Sequence, residues 1–466
     1  MAIVTTKVKR KYNNMQKISN KTITELNEDL FKDIISIRNN AFYGCNSLVS
    51  IVIPNNIRNL SNSAFKRCTS LTSATLFVNN TSCGSAVFED CSALRNVNVL
   101  SNFTSIPNYF CQNCTSLTSV SLPSSLTSIG NSAFAHCTSL TSVSLPSSLT
   151  TIDYFAFQGC TSLTSVNLPS SLTSINSSAF RDCTSLTSVN LPSSLTSING
   201  SVFQGCTSLA SVNLPSNLTN IYGSTFQDCT SLASVNLPSS LTNIYLSAFQ
   251  GCTSLASVNL PSSLTNIGSS AFRDCTSLTS VNLPSSLTNI GSNAFDNTGL
   301  TSVTIPSGMP YNAFSVFRNC KNLKSATLSG PIGPSWFSGC TSLEKLTIND
   351  ANALTHGGTF ENLTSINDIS LVDDIVISQS CFKGCTGIES VIIPQGASLA
   401  AYAFQDCTSL ASVTVNDTTP ISCTSVTFYN TSPNLVIYVP AESVEAYKAA
   451  SGWSSYAGRI QAIPSE

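Results

Sequence analysis

Hydrophobic and polar positions along this chain recur every 23 residues. Cys45, Cys68, Cys91, Cys114, Cys137, Cys160, Cys183, Cys206, Cys229, Cys252 and Cys275 mark the same point of successive repeats. A phenylalanine stands three positions before each mark (Phe42, Phe65, Phe88, Phe134, Phe157, Phe180, Phe203, Phe226, Phe249, Phe272), except where Cys111 takes that place and Phe110 is shifted by one. Repetition at this period predicts stacked units, each unable to bury its apolar face alone. It displaces the prior of about three globular domains that the length would otherwise carry.

Within the unit CTSLTSVSLPSSLTTIDYFAFQG, residues 137–159, the positions expected to point inward are Cys137, Leu140, Val143, Leu145, Leu149, Ile152, Ala156 and Phe157. Leu140, Val143 and Leu145 have the L-x-x-L-x-L spacing of a leucine-rich repeat, and alternation about Val143 predicts a short strand. Pro146 lacks the amide hydrogen to prolong it. A second extended piece, 149–152, leads into a turn that plugs the coil with Phe157. Toward the C-terminus the marks become Thr298, Cys320, Cys340, Leu363, Cys385, Cys407 and Thr431, preceded by Phe295, Phe317, Phe337, Phe360, Phe382, Phe404 and Phe428. The expected organisation is a basic N-terminal arm or cap over 1–31, regular repeats over 32–297, degenerate repeats over 298–440 and a C-terminal cap over 441–466, about 18 coils in all. Pro440 precedes a good helix former, 441–450, and Val444, Tyr447, Trp453 and Tyr456 supply an apolar face to close the last coil.

The unit C-T-S-L-T-S-V-x-L-P-S-S-L-T-x-I-x-x-x-A-F-x-x, taken from residues 114–297, resembles the BspA-like leucine-rich repeats, and IYVPAESVEAYKAASGWSSYAGRIQAI resembles the segment that often ends such arrays. The resemblance implies a repeat solenoid, a right-handed coil with short parallel strands and a helical cap. It also implies a non-enzymatic surface adhesin that binds matrix proteins, other cells or host molecules, with no catalytic residues to carry over. Cell-surface members carry a secretion signal or anchor; here no apolar run reaches the ~18 residues of a membrane span and no signal-like apolar stretch opens the sequence. Similar repeats occur on appendage proteins of bacteriophages of gut bacteria, so a virion or an extracellular surface is the expected location.

Only 9% of residues are charged, and 21 basic against 23 acidic side chains leave a net charge of −2, which removes the electrostatic argument for a nucleic-acid partner. Lys7, Lys9, Arg10, Lys11, Lys17 and Lys21 make the N-terminal arm basic and a candidate contact for virion structural proteins. The column cysteines read as buried free thiols, because side chains stacked in parallel seldom offer a disulfide dihedral. Cys83, Cys111, Cys381 and Cys423 fall outside that column. Cys111 and Cys114 form a C-x-x-C pair without a second pair to complete a metal site. His136 reads as an exposed turn residue, and His356 is too far along a locally contacting fold to join it in a triad. The sparse acids Asp153, Asp182, Asp228 and Asp274 offer no carboxylate pair for glycoside cleavage, and Arg181 and Arg273 each stand beside one of them on a turn. No enzyme activity, cofactor or metal is expected.

The candidate ligand-binding positions flank each central valine: Ser165 and Asn167, Ser188 and Asn190, Ser211 and Asn213, Ser234 and Asn236, Ser257 and Asn259, preceded by Ser142 and Ser144. Stacked, they form two polar columns of donors and acceptors suited to a glycan or a polar protein surface. The competing reading is that they only keep a sheet hydrated. A second candidate is the irregular stretch 298–430, where Trp336, Tyr311, Tyr402 and Tyr429 interrupt the repeat and aromatic anchors are available. An ice-ordering surface is disfavoured, since the columns read Ser-Val-Asn rather than Thr-x-Thr. The expected function is adhesion to, or recognition of, a cell-surface protein or glycan, without membrane insertion. The alternative is a structural shaft or decoration protein of a larger assembly.

Overall fold

Inward positions of one repeat stack on those of the next, and the strands between them pair in register one repeat apart. The computed structural model describes residues 25–26, 31, 34–77, 82–100, 102–309 and 312–464; the basic side chains of the N-terminal arm and Tyr311 lie outside the described residues. The chain divides into two compact units, 1–232 and 233–466.

In the first unit two ladders of parallel strands run side by side. One follows the central valines: Ser142–Val143, Ser165–Val166, Ser188–Asn190 and Ser211–Asn213 pair so that Ser142, Ser165, Ser188 and Ser211 stand opposite one another. The other follows the isoleucines of Ser105–Ile106, Ser128–Ile129, Thr151–Ile152 and Ser174–Ile175. Earlier coils carry four-residue strands, Ser50–Ile53, Ser73–Leu76 and Asn96–Val99. The phenylalanine plugs form a continuous stack, with ring centroids of Phe134, Phe157, Phe180 and Phe203 separated by 5.5, 5.4 and 5.8 Å. Phe110 enters the stack from the neighbouring position and therefore meets Phe88 and Phe134 edge-on, at 84° and 81°.

The column thiols are free and do more than fill space. Each reaches back a coil: the Cys160, Cys183 and Cys206 thiols donate to the carbonyls of Phe134, Phe157 and Phe180 at 3.2 Å. Burial pushes the Cys160 and Cys206 thiols up to about 12. Cys45, expected in the interior, is exposed; the residue that its thiol would meet one coil earlier lies outside the described residues. A second departure concerns Leu145. It is half-buried rather than fully inward, and Leu168 and Leu214 repeat this.

Most coils turn through two left-handed residues, such as Ser178 (φ 62°) with Asp182 (φ 58°) and Ser201 (φ 59°) with Gly205 (φ 72°). That conformation explains why the residue before the column cysteine is Gly, Asp, Asn or His in so many coils, the types that tolerate positive φ. His136 is one of them, at φ 60° and exposed, as its turn position implied.

The second unit keeps both ladders over Ser234–Val235, Ser257–Val258 and Ser280–Val281 on one side and Asn243–Ile244, Asn266–Ile267 and Asn289–Ile290 on the other. From Phe249 to Phe428 its plugs stack at 5.2–5.7 Å. The strands lengthen to four residues in Ser302–Ile305, Ser325–Leu328 and Lys345–Ile348. Trp336, expected as a surface anchor, is fully buried and its indole donates to the Ala313 carbonyl at 2.9 Å. It occupies the position before the plug that alanine holds in most coils. The coil there is shortened, pairing Ser325 with Lys345 and omitting the second short strand, so a large side chain fills the space.

The cap begins with a 3-10 turn, Ala441–Ser443, and a short α-helix, Val444–Ala449, followed by a second 3-10 segment, Trp453–Arg459. Trp453 and Tyr456 close on Phe428 at 6.2 and 5.5 Å, and the Trp453 indole donates to the Ile421 carbonyl at 2.7 Å. A final strand, Ile460–Ala462, then pairs in parallel with Val436–Val439, a piece of ladder that the helical reading of 441–466 did not contain. Counted through both units, the chain is a parallel β-solenoid of about 18 turns.

Candidate binding face

Serine and threonine are abundant, so the useful question is which hydroxyls the fold consumes. Thr127, Thr150 and Thr173 each donate to the backbone carbonyl of the matching threonine one coil back, at 2.8, 3.0 and 3.2 Å. The second serine after each proline does the same: Ser148 to Leu126, Ser171 to Leu149 and Ser286 to Leu264, all at 2.6 Å. These side chains bind coil to coil; the threonines add a second donor to carbonyls already bonded by backbone amides, and the serines reach leucine carbonyls that accept no backbone amide among the described residues.

The strand-flanking columns are different. Ser165, Asn167, Ser188, Asn190, Ser211 and Asn213 of the first unit are exposed, as are Ser234, Asn236, Ser257 and Asn259 of the second. Among the described residues, none of these serine hydroxyls is engaged in a hydrogen bond within the protein. One amide contact runs along the asparagine column, Asn213 Nδ2 donating to Asn190 Oδ1 at 3.0 Å. Strand pairing sets the spacing: Ser188 opposes Ser165 and Ser211, and Asn190 opposes Asn213, in rows about 4.8 Å apart. The second unit places Ser257 opposite Ser234. Hydroxyl and amide groups held at strand spacing, with the hydroxyl donors uncommitted, can form many weak bonds to a polar partner.

The second candidate site disperses. Trp336 belongs to the core, Tyr311 lies outside the described residues, and Tyr402 and Tyr429 remain exposed. The same stretch carries the charges that the copied coils lack. Lys345 meets Asp368 across two strands at 2.7 Å on the exposed face. Just ahead of the stretch, Asp296 is buried and held from within it by Arg318 at 2.7 and 3.2 Å and by Asn319 at 3.3 Å. Its burial was not read from the sequence, because its turn position is usually polar and only half-buried. Arg181 and Arg273 lie 3.4 Å from Asp182 and Asp274, half-exposed pairs of little energetic weight. Cys111 and Cys114 are both buried and part of the packing. Among the described residues no group of three or more His, Cys, Asp or Glu is placed to hold a metal ion, and no helix is long and apolar enough to cross a membrane.

A family model described as BspA type leucine rich repeat region matches residues 16–141, 127–256, 200–326, 242–367 and 315–434. No curated protein matches the chain. Among solved structures, a leucine-rich repeat protein from Bacteroides ovatus ATCC 8483 is similar at 26% identity over 79% of this chain and 92% of its own, with a TM-score of 0.57. A T. pallidum leucine rich repeat protein is 26% identical over 47% of this chain and 82% of its own, at a TM-score of 0.29. A leucine rich cell surface protein from Faecalibacterium prausnitzii A2-165 is 21% identical over 90% and 86%, at 0.27. The Bacteroides structure superposes well enough to bear on the fold, and it is of the same repeat type. No enzymatic family is indicated.

Proposed function

The chain belongs to the BspA-type leucine-rich-repeat family, and from that premise we propose that it is a non-enzymatic recognition protein that attaches to a host or cell-surface protein or glycan. The observation that carries this reading is the pair of exposed Ser and Asn columns whose hydroxyls the fold does not use, while most neighbouring hydroxyls are spent on coil-to-coil bonds. Contacts to such rows are individually weak and gain strength by number. Presentation on a bacteriophage particle or on a bacterial surface would serve the same end, since either holds many copies against a target.

The test is binding of the purified full-length chain to candidate host cells and to immobilised surface proteins and glycans, beside the variant Asn167→Ala/Asn190→Ala/Asn213→Ala. Binding by the parent and its loss in the variant at unchanged melting temperature is the expected result. No binding to any host cell, together with firm incorporation into a particle through residues 1–40, would mean that the protein is a shaft or decoration.

A further inference from the structure

The edge of the first unit where each coil makes its left-handed turn is lined by serine in most coils: Ser132, Ser178, Ser201 and Ser224, at φ 52–62°. Two coils break the rule with aromatic residues. Tyr109 and Phe155 both adopt φ 59°, a conformation disfavoured for bulky side chains by roughly 1–2 kcal/mol. Core burial does not repay this strain, because Tyr109 is 38% and Phe155 36% exposed, and the adjoining Tyr154 is 49% exposed. A strained residue with an exposed ring is a reason to look for a ligand.

Backbone bonds link the coils that carry these rings, with Tyr109 two coils from Phe155 and the Ser132 coil between them. The Tyr109 amide donates to Asn131 O at 2.8 Å, that of Ser132 to Tyr154 O at 2.9 Å and that of Phe155 to Ser177 O at 3.3 Å. Ser132 and Ser178, one coil to either side of Phe155, are only 6% exposed, whereas Ser201 and Ser224 are half-buried. Beside them runs a polar row: Asp153 Oδ1 accepts from Asn176 Nδ2 at 2.8 Å, and its second carboxylate oxygen makes no hydrogen bond among the described residues. Asn131 Oδ1 accepts from the Ser132 hydroxyl at 3.0 Å, and its amide nitrogen makes no bond among the described residues.

We infer that Tyr109, Tyr154 and Phe155, with Asp153 and Asn131, form a site for a neutral glycan. A pyranose has an apolar face of C–H groups that packs on aromatic rings and a rim of hydroxyls that each donate and accept. A carboxylate takes two hydroxyl donors, and a side-chain amide supplies both functions. The one ionised group is an acid, so sialylated or uronic sugars are disfavoured. This surface is separate from the Ser and Asn columns and rests on the recognition reading only in taking the protein to be a binder.

The experiment applies the full-length chain to an array of neutral and sialylated oligosaccharides, beside the double variant Tyr154→Ser/Phe155→Ser. That variant reproduces Ser177–Ser178 of the following coil, so the fold tolerates it, and melting confirms this. The parent should retain neutral glycans in preference to sialylated ones, and the double variant should lose affinity by about tenfold or more. Equal retention by the double variant overturns the site, as does glycan loss confined to Asn190→Ala/Asn213→Ala. Cell binding that persists while no neutral glycan is retained removes the aromatic site and leaves recognition through the strand columns intact. A chain that binds neither cells nor glycans removes both.

Discussion

The near-identical coils between residues 115 and 232 and the varied coils after residue 298 solve the same stacking problem with different side chains. In the copied coils strands span two or three residues, and the aliphatic that follows is half-buried at Leu145, Leu168 and Leu214, with Leu191 the buried exception. In the varied coils Thr or Ile at the third strand position extends pairing to four residues, and Ile305, Leu328, Ile393 and Val415 are wholly buried. The copied coils place a thiol at every mark, bonded to the preceding plug's carbonyl; the varied coils substitute Thr298, Leu363 and Thr431 at three of theirs. Ion pairs such as Arg318 with Asp296 and Lys383 with Glu361 join varied coils where hydroxyl staples join copied ones. Copying thus trades packing depth for a regular outer surface, and that surface is where the uncommitted donors lie.

Alkali should separate the two regions most strongly. The Cys160 and Cys206 thiols are held up to about 12, against 9.0 for an ordinary thiol, because burial disfavours the thiolate. Their neutral form therefore contributes stability that is complete below about pH 9 and is lost as pH rises from 9 toward 12. Each such thiol withdraws roughly 1 kcal/mol per pH unit in that window, and burial likewise pushes up the Cys137 and Cys183 thiols of the copied coils. Hydrogen exchange compared at pH 8 and pH 10.5 should show residues 137–230 losing protection before residues 298–370. Equal loss in both regions would mean that the thiols do not set the alkaline limit.

Truncating a plug comes next. Phe203→Ala removes a ring stacked on Phe180 at 5.8 Å and on Phe226 at 5.7 Å and should cost about 3–5 kcal/mol, read from urea denaturation followed by exchange of its own and adjoining coils. A loss below about 1 kcal/mol would contradict the buried stack.

What the sequence disclosed follows from what a repeat can express. The plug and thiol columns were legible because each is one residue type at one spacing, and any stacked arrangement must bury it. Trp336 was misjudged as a surface residue because its role depends on a shortened coil whose missing strand leaves room for an indole. The paired left-handed turns and the thiol-to-carbonyl bonds depend on backbone angles that composition only hints at, through Gly, Asp and Asn before the cysteine. The strand columns were placed correctly on the exposed face, but that their hydroxyls are uncommitted, unlike those of Thr150 or Ser171, needed the hydrogen-bond geometry.

A paired substitution measures the packing half of the comparison directly. Leu328→Ala in a varied coil should cost about 3 kcal/mol, as for a fully buried leucine, while Leu168→Ala in a copied coil should cost about 1 kcal/mol. Equal costs from matched urea titrations would show that the half-exposed leucines are better packed than their accessibility suggests.

The smallest effect tests the hydroxyl staples. Ser171 bonds the Leu149 carbonyl at 2.6 Å from a half-buried position, so Ser171→Ala deletes one hydrogen bond and leaves that carbonyl to water. About 1 kcal/mol is expected for such a bond. Ser188→Ala, on the exposed strand face with no bond to lose, should be nearly neutral for stability. The two substitutions differ by one hydroxyl each within adjoining coils, so the melting-temperature difference between them isolates structural use of serine from mere hydration. If Ser188→Ala destabilised the protein as much as Ser171→Ala, the strand-face hydroxyls would have a structural task and would not be free to meet a partner.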